Sequence, residues 1–117
     1  EDRACRGGDR MADFEDVKLA AFVRDCLPTL RDRLAPLRVI AFGSRVRGDA
    51  LSTSDLDLVL VSPWFGRLGF LRRGPAVLEL LDYPAGLEIL CYTPEEFDQK
   101  RQELGIIRVA VEEGVTL

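Results

Sequence analysis

From Asp55 to Val61 the chain reads Asp-Leu-Asp-Leu-Val-Leu-Val, and few folds accept such a run. Leu56, Leu58, Val59, Leu60 and Val61 give the near-continuous aliphatic stretch of a strand buried on both faces, which predicts a central strand over residues 55–61. Side chains alternate across a strand, so Asp55 and Asp57 project from one face while Leu56 points the other way. Their attachment points lie roughly 6.5 Å apart at about 3.3 Å per residue. Two carboxylates this close raise each other's pKa unless a cation sits between them. An oxygen-rich site of this kind suits Mg²⁺ or Mn²⁺, so the pair reads as half of a metal site.

Upstream, Val39-Ile40-Ala41-Phe42 is a short β-branched and aromatic run that stops at Gly43-Ser44, the pattern of a strand followed by a tight turn. Glycine lets a ligand approach the main chain, and successive backbone N–H groups in such a turn can cradle phosphate oxygens. The Ser44 hydroxyl and the charges of Arg45 and Arg47 stand ready to support them. No Gly-Lys-Ser/Thr follows, so this is not a Walker loop. Phosphate donors at one strand end and metal carboxylates at the next are the minimum equipment for phosphoryl or nucleotidyl transfer, where catalysis is mostly positioning and charge neutralisation. The plainer reading of Arg45 and Arg47 is as solvated surface charges. Ser52, Thr53 and Ser54 read as loop, with Ser54 able to position Asp55 through a local hydrogen bond.

Gly43-Ser44, ten residues, then Asp55-Leu56-Asp57 resembles the signature of the minimal nucleotidyltransferase family, a branch of the DNA polymerase β-like superfamily. Arg45, Arg47, Gly48, Ser54 and the later Tyr92-Thr93-Pro94-Glu95-Glu96-Phe97 are similar to it as well, and the likeness runs from about Met11 to Leu117. The resemblance implies the polymerase β-like fold, a small mixed β-sheet flanked by helices in an α/β domain. It implies a nucleotide-binding set of Gly43, Ser44, Arg45, Arg47 and Ser54, and a catalytic and metal-binding set of Asp55, Asp57 and Glu88, with Mg²⁺ or Mn²⁺ as cofactor and ATP as substrate. Small stand-alone members resemble antitoxins that silence an all-helical HEPN ribonuclease toxin by transferring AMP to one of its tyrosines, or by binding alone. A HEPN-type partner and a homo- or hetero-oligomer are thus expected. The competing expectations are a non-catalytic binding module and an enzyme acting on a small-molecule hydroxyl.

The rest of the sequence sets bounds on these readings. At 117 residues the chain suits one domain, expected over residues 11–117, with the short polar stretch 1–10 as a disordered extension outside the fold. No apolar run reaches the length of a membrane span, and a cytoplasmic setting is expected from three scattered cysteines, Cys5, Cys26 and Cys91, with Cys26 and Cys91 as core fillers. A net charge of -4 argues against broad nucleic-acid binding. The absence of histidine removes a histidine general base, a Ser-His triad and most zinc sites.

Phe14, Val17, Ala21, Cys26, Leu27, Leu30 and Leu34 recur at helical steps, which predicts an amphipathic helix over 13–34, kinked or divided at Pro28 and covering one sheet face. Pro36 ends it. The segment from Trp64 to Gly74, aromatic, basic and glycine-containing, has no clear period. It is expected as a mobile loop flanking the site that stacks on a base or grips an acceptor, or else tucks its aromatics into the core edge. A helix is predicted over 75–82 with proline in its first turn, then a third strand over 87–92.

That third strand carries one anion, Glu88, among Leu87, Ile89, Leu90 and Cys91. Adjacent strands lie about 4.8 Å apart, so Glu88 is placed to complete a three-carboxylate cluster with Asp55 and Asp57; the alternative is an edge-strand glutamate facing solvent. The family more often carries aspartate there. Thr93 with Glu96 forms a capping box, with Pro94 at the first position of a helix reaching about Glu103. That explains Glu95 and Glu96 without catalysis. Ile106–Glu113 is strand-like by composition and also fits a helical face; the resemblance favours a helix, followed by a cap at Gly114 and a short terminal strand.

Overall fold

The computed structural model describes residues 16–51, 53–81 and 86–117. The expectations for the 1–10 extension and for Phe14 fall outside these residues. The elements in order are α1 (Val17–Asp25), α2 (Leu27–Leu34), β1 (Arg38–Phe42), α3 (Ser44–Arg47), β2 (Leu56–Val61), a 3₁₀ turn (Pro63–Arg67), α4 (Phe70–Leu81), β3 (Leu87–Tyr92), α5 (Pro94–Lys100), α6 (Ile106–Glu113) and β4 (Val115–Thr116). The strands form one mixed sheet in the order β3-β2-β1-β4. β1 runs antiparallel to β2 and β4, and β2 runs parallel to β3. The α/β architecture expected from the sequence is the one observed.

The aliphatic run of β2 earns its central place. Leu56, Leu58 and Leu60 face a core built with Leu19, Phe22, Leu30, Leu34 and Val77 from α1, α2 and α4. Val59 and Val61 face a second, smaller core with Ile40, Phe42, Tyr92, Phe97, Ile107 and Ala110. Two helical layers thus enclose the sheet, and every residue of β2 except Asp57 is buried.

The N-terminal helix divides, as Pro28 predicts, at Cys26, with the proline in the first turn of α2. The buried stripe of the first half is Leu19, Phe22 and Val23, while Val17 is 80% exposed. The segment expected as a loop is instead ordered. Ser62 caps the 3₁₀ turn by accepting from the Trp64 N–H at 3.1 Å and donates to the Leu34 carbonyl at 2.6 Å. α4 then begins at Phe70 and not at Pro75, which lies inside the helix.

What holds that early start is Arg73, only 5% exposed. It donates to the carbonyls of Leu68 at 3.0 Å and Cys91 at 3.2 Å and pairs with Glu96 at 2.6 Å. A buried guanidinium needs such a set of acceptors to repay its lost hydration. Glu96 also completes the capping box with Thr93, so one carboxylate caps α5 and neutralises α4. α5 stops at Lys100, and residues 106–113 are helical with Gly114 as the cap.

Candidate nucleotidyl-transfer site

β2 and β3 run side by side in parallel with Asp57 opposite Glu88, and Phe42 is the partner of Asp57 across β1. Alternation puts Asp57 on the face of Val59 and Val61, and Glu88 on that of Leu90 and Tyr92. The second core fills this face up to Phe42, Val59 and Leu90. At the strand end beyond them Asp57 is half-buried, Glu88 exposed and Asp55 exposed just ahead of β2. The carboxylates therefore share the open end of a face whose other end is roofed by α5 and α6.

Gly43 closes the other side. It sits at φ +83°, a left-handed region that favours glycine, and a Cβ there would overlap the Asp57 carboxylate oxygen. The turn it starts is a single helical one, α3, whose Val46 and Arg47 N–H groups both donate to the Gly43 carbonyl at 3.0 Å. The Gly-Ser half of the signature is thus pressed directly onto the Asp-x-Asp half.

This crowding has an electrostatic consequence. Burial, hydrogen bonding with Glu88 and the charges of Glu88 and Asp55 push the Asp57 carboxyl up to about 6, against a downward pull from Arg47. Arg47, exposed and paired with Asp49 at 3.3 Å, is the arginine whose field reaches the carboxylates.

Arg45, expected from the sequence at the nucleotide, makes a set of bonds within the chain. Its side chain is 8% exposed and donates to Asp16 at 3.0 Å, to the Ser54 carbonyl at 3.1 Å and to the Leu51 carbonyl at 3.2 Å. It ties the loop after α3 to the start of α1. Ser54 is likewise committed to its own loop, its hydroxyl accepting from the Leu51 N–H at 3.0 Å. The sequence reading missed two contributors from α1, Asp16 and Lys18, whose short-range pattern is that of an ordinary helix start.

Glu88 is exposed on an edge strand, the second of the two sequence alternatives, while its register still sets it beside Asp57 on the carboxylate face. Among the described residues no three carboxylates converge into a ready-made metal cage; the tight relation is the Asp57–Glu88 pair with Asp55 alongside. That donor set fits a hard divalent cation, since Mg²⁺ characteristically takes one or two carboxylates and completes its shell with water and substrate phosphates. Burial first, and the neighbouring carboxylates second, disfavour the ionised Asp57, an environment in which a cation would favour the charged form.

The sequence profile described as the nucleotidyltransferase domain matches residues 23–116. A solved structure from Sulfolobus solfataricus, whose assignment as a nucleotidyltransferase is provisional, superimposes with a TM-score of 0.50 over 99% of this chain and 86% of its own, at 22% identity. That likeness speaks for the fold. No curated protein matches the chain significantly. No described helix is long and apolar enough to cross a membrane.

Proposed function

Because the chain belongs to the nucleotidyltransferase domain family, we propose that it transfers AMP from ATP to a hydroxyl in a Mg²⁺-dependent reaction, the acceptor being a tyrosine of a HEPN-type ribonuclease toxin. The observation that carries this reading is the Asp57 carboxylate, wedged between the Gly43 turn and Glu88 at the open strand end. Asp57, Glu88 and Asp55 would hold the cation, which supplies charge neutralisation to the donor phosphates. Gly43, Ser44 and Arg47 lie where the donor triphosphate would be gripped. The acceptor oxygen bonds to the α-phosphorus as the bridging bond to the β-phosphate breaks and pyrophosphate leaves. Glu88, exposed beside Asp57, is the group placed to take the hydroxyl proton.

The carboxylates stand at the open end of a sheet face with Asp55 and Glu88 exposed, which favours a macromolecular acceptor over an enclosed small molecule. The test is the intact mass of a co-produced HEPN protein after incubation with this protein, ATP and Mg²⁺. A gain of one or more AMP units that vanishes with Asp57→Asn is expected. Tight association without mass gain would instead favour neutralisation by binding. That second reading draws support from the lack of three converging carboxylates among the described residues.

A further inference from the structure

Lys18 belongs to no part of the signature, and it precedes the residues 23–116 that match the family profile. It nevertheless reaches the site's framework. Its ammonium donates to the Ser54 carbonyl at 3.3 Å, the peptide group immediately before Asp55. It also packs against Gly86, where a Cβ would overlap Nζ, two residues before Glu88. The two segments it touches are themselves joined, since the Leu56 N–H donates to the Gly86 carbonyl at 2.8 Å. Lys18 therefore sits at the junction where the chain enters both carboxylate-bearing strands.

Two cations meet on one carbonyl here, because Arg45 Nε donates to the same Ser54 oxygen at 3.1 Å. Such convergence is unfavourable unless anions balance it. Asp16 supplies one: its Oδ2 takes Arg45 at 3.0 Å while its Oδ1 caps α1 by accepting from the Leu19 N–H at 2.9 Å. A long, rotamer-rich lysine is costly to immobilise, so a half-buried one held between two strand entries has a positional consequence.

We propose that the first turn of α1, through Lys18 with Asp16 behind Arg45, is a positioning device that fixes the spacing of the Asp55 and Glu88 strand starts and thereby sets the cation affinity of the site. The affinity half of this inference rests on the nucleotidyl-transfer reading; the geometric half does not. Lys18 is a positioning residue, because it acts through the backbone of Ser54 and Gly86.

The experiment uses the whole chain as wild type, Lys18→Met, Lys18→Arg and Asp57→Asn, with Mn²⁺ alone as the probe. Two quantities are read by NMR: amide hydrogen exchange, and the Mn²⁺ concentration that broadens the Asp57 and Glu88 amides. In Lys18→Met, exchange is expected to quicken at Ser54, Leu56 and Glu88 while Val59 and Leu60 keep wild-type protection, and the Mn²⁺ midpoint should rise about tenfold, as for other residues that orient metal ligands. Lys18→Arg should recover most of that affinity, which a merely stabilising role would not require. Should Lys18→Met fail to fold, Lys18→Ala carries the comparison, and wild-type protection at Ser54, Leu56 and Glu88 in that variant overturns the proposal. A Lys18→Met midpoint within twofold of wild type overturns it as well. If wild type itself ignores Mn²⁺, the nucleotidyl-transfer reading fails on its own account, and exchange confined to the two strand entries, or its absence, still decides the positioning claim.

Discussion

Replacing Asp57 by asparagine should make the protein more stable, and the size of the gain can be worked out. Ionised Asp57 is disfavoured in the fold by burial and by hydrogen bonding and charge from Glu88, which together push it from its ordinary 3.8 to about 6. The folded state therefore holds its proton more tightly than the unfolded chain. Below pH 3.8 both states are protonated and no penalty exists. Between pH 3.8 and 6 the unfolded chain ionises first, so stability falls as pH rises, and above pH 6 the loss is complete. At 1.36 kcal/mol per pH unit the ceiling is about 3 kcal/mol. Solvent screening of a half-buried group reduces it to about 1–2 kcal/mol. Asparagine keeps the shape that Gly43 accommodates and cannot ionise. In chelator, Asp57→Asn should match wild type near pH 4 and melt about 4–8 °C higher at pH 7.5. Thermal unfolding followed by circular dichroism across this range is the assay, the difference between the two proteins cancelling every other titration. An unchanged or lower Tm at pH 7.5 would refute the account of a strained carboxylate pair.

Three further outcomes follow from the same geometry. Mg²⁺ at about ten times its dissociation constant should raise wild-type stability by about 1.4 kcal/mol and leave Asp57→Asn unmoved, as read by thermal shift. Gly43→Ala places a methyl group into the Asp57 carboxylate at a positive φ, so it should cost at least about 1–3 kcal/mol in urea unfolding and abolish the Mg²⁺ response. Glu96→Ala removes the partner of a guanidinium that is only 7% exposed together with a capping box. It should cost about 3–4 kcal/mol, whereas Asp98→Ala on the exposed side of the same helix should cost little.

The parts of the fold legible in the sequence are those where one local signal dominates. The aliphatic run of β2, the third strand that carries Glu88, and the Thr93–Glu96 cap all follow from short-range pattern, whereas the parallel register that sets Asp57 opposite Glu88 is a long-range pairing. The misread parts depend on partners distant in sequence. Nothing between Trp64 and Gly74 announces a helix, because its start is held by Arg73 against carbonyls and a carboxylate that lie up to 23 residues away. The bond from Arg45 to Asp16, 29 residues upstream, could not be read locally, since Asp16 has no feature that marks it as an acceptor. The N-terminal helical stripe was misphased only before the break, where Leu19, Phe22 and Val23 are buried and Val17 is exposed, while Cys26, Leu27, Leu30 and Leu34 are buried as expected.

The placement of β3 at the rim of the sheet bears on how such a domain can change over evolutionary time. Asp57 is locked into the second strand, where a side chain of another shape would press on Gly43. Glu88 stands on the outermost strand, with water on one side, so a methylene can be added or a partner's side chain brought against it without repacking the interior. Chemistry at this rim can drift, sharpen or fall silent while the scaffold beneath it persists.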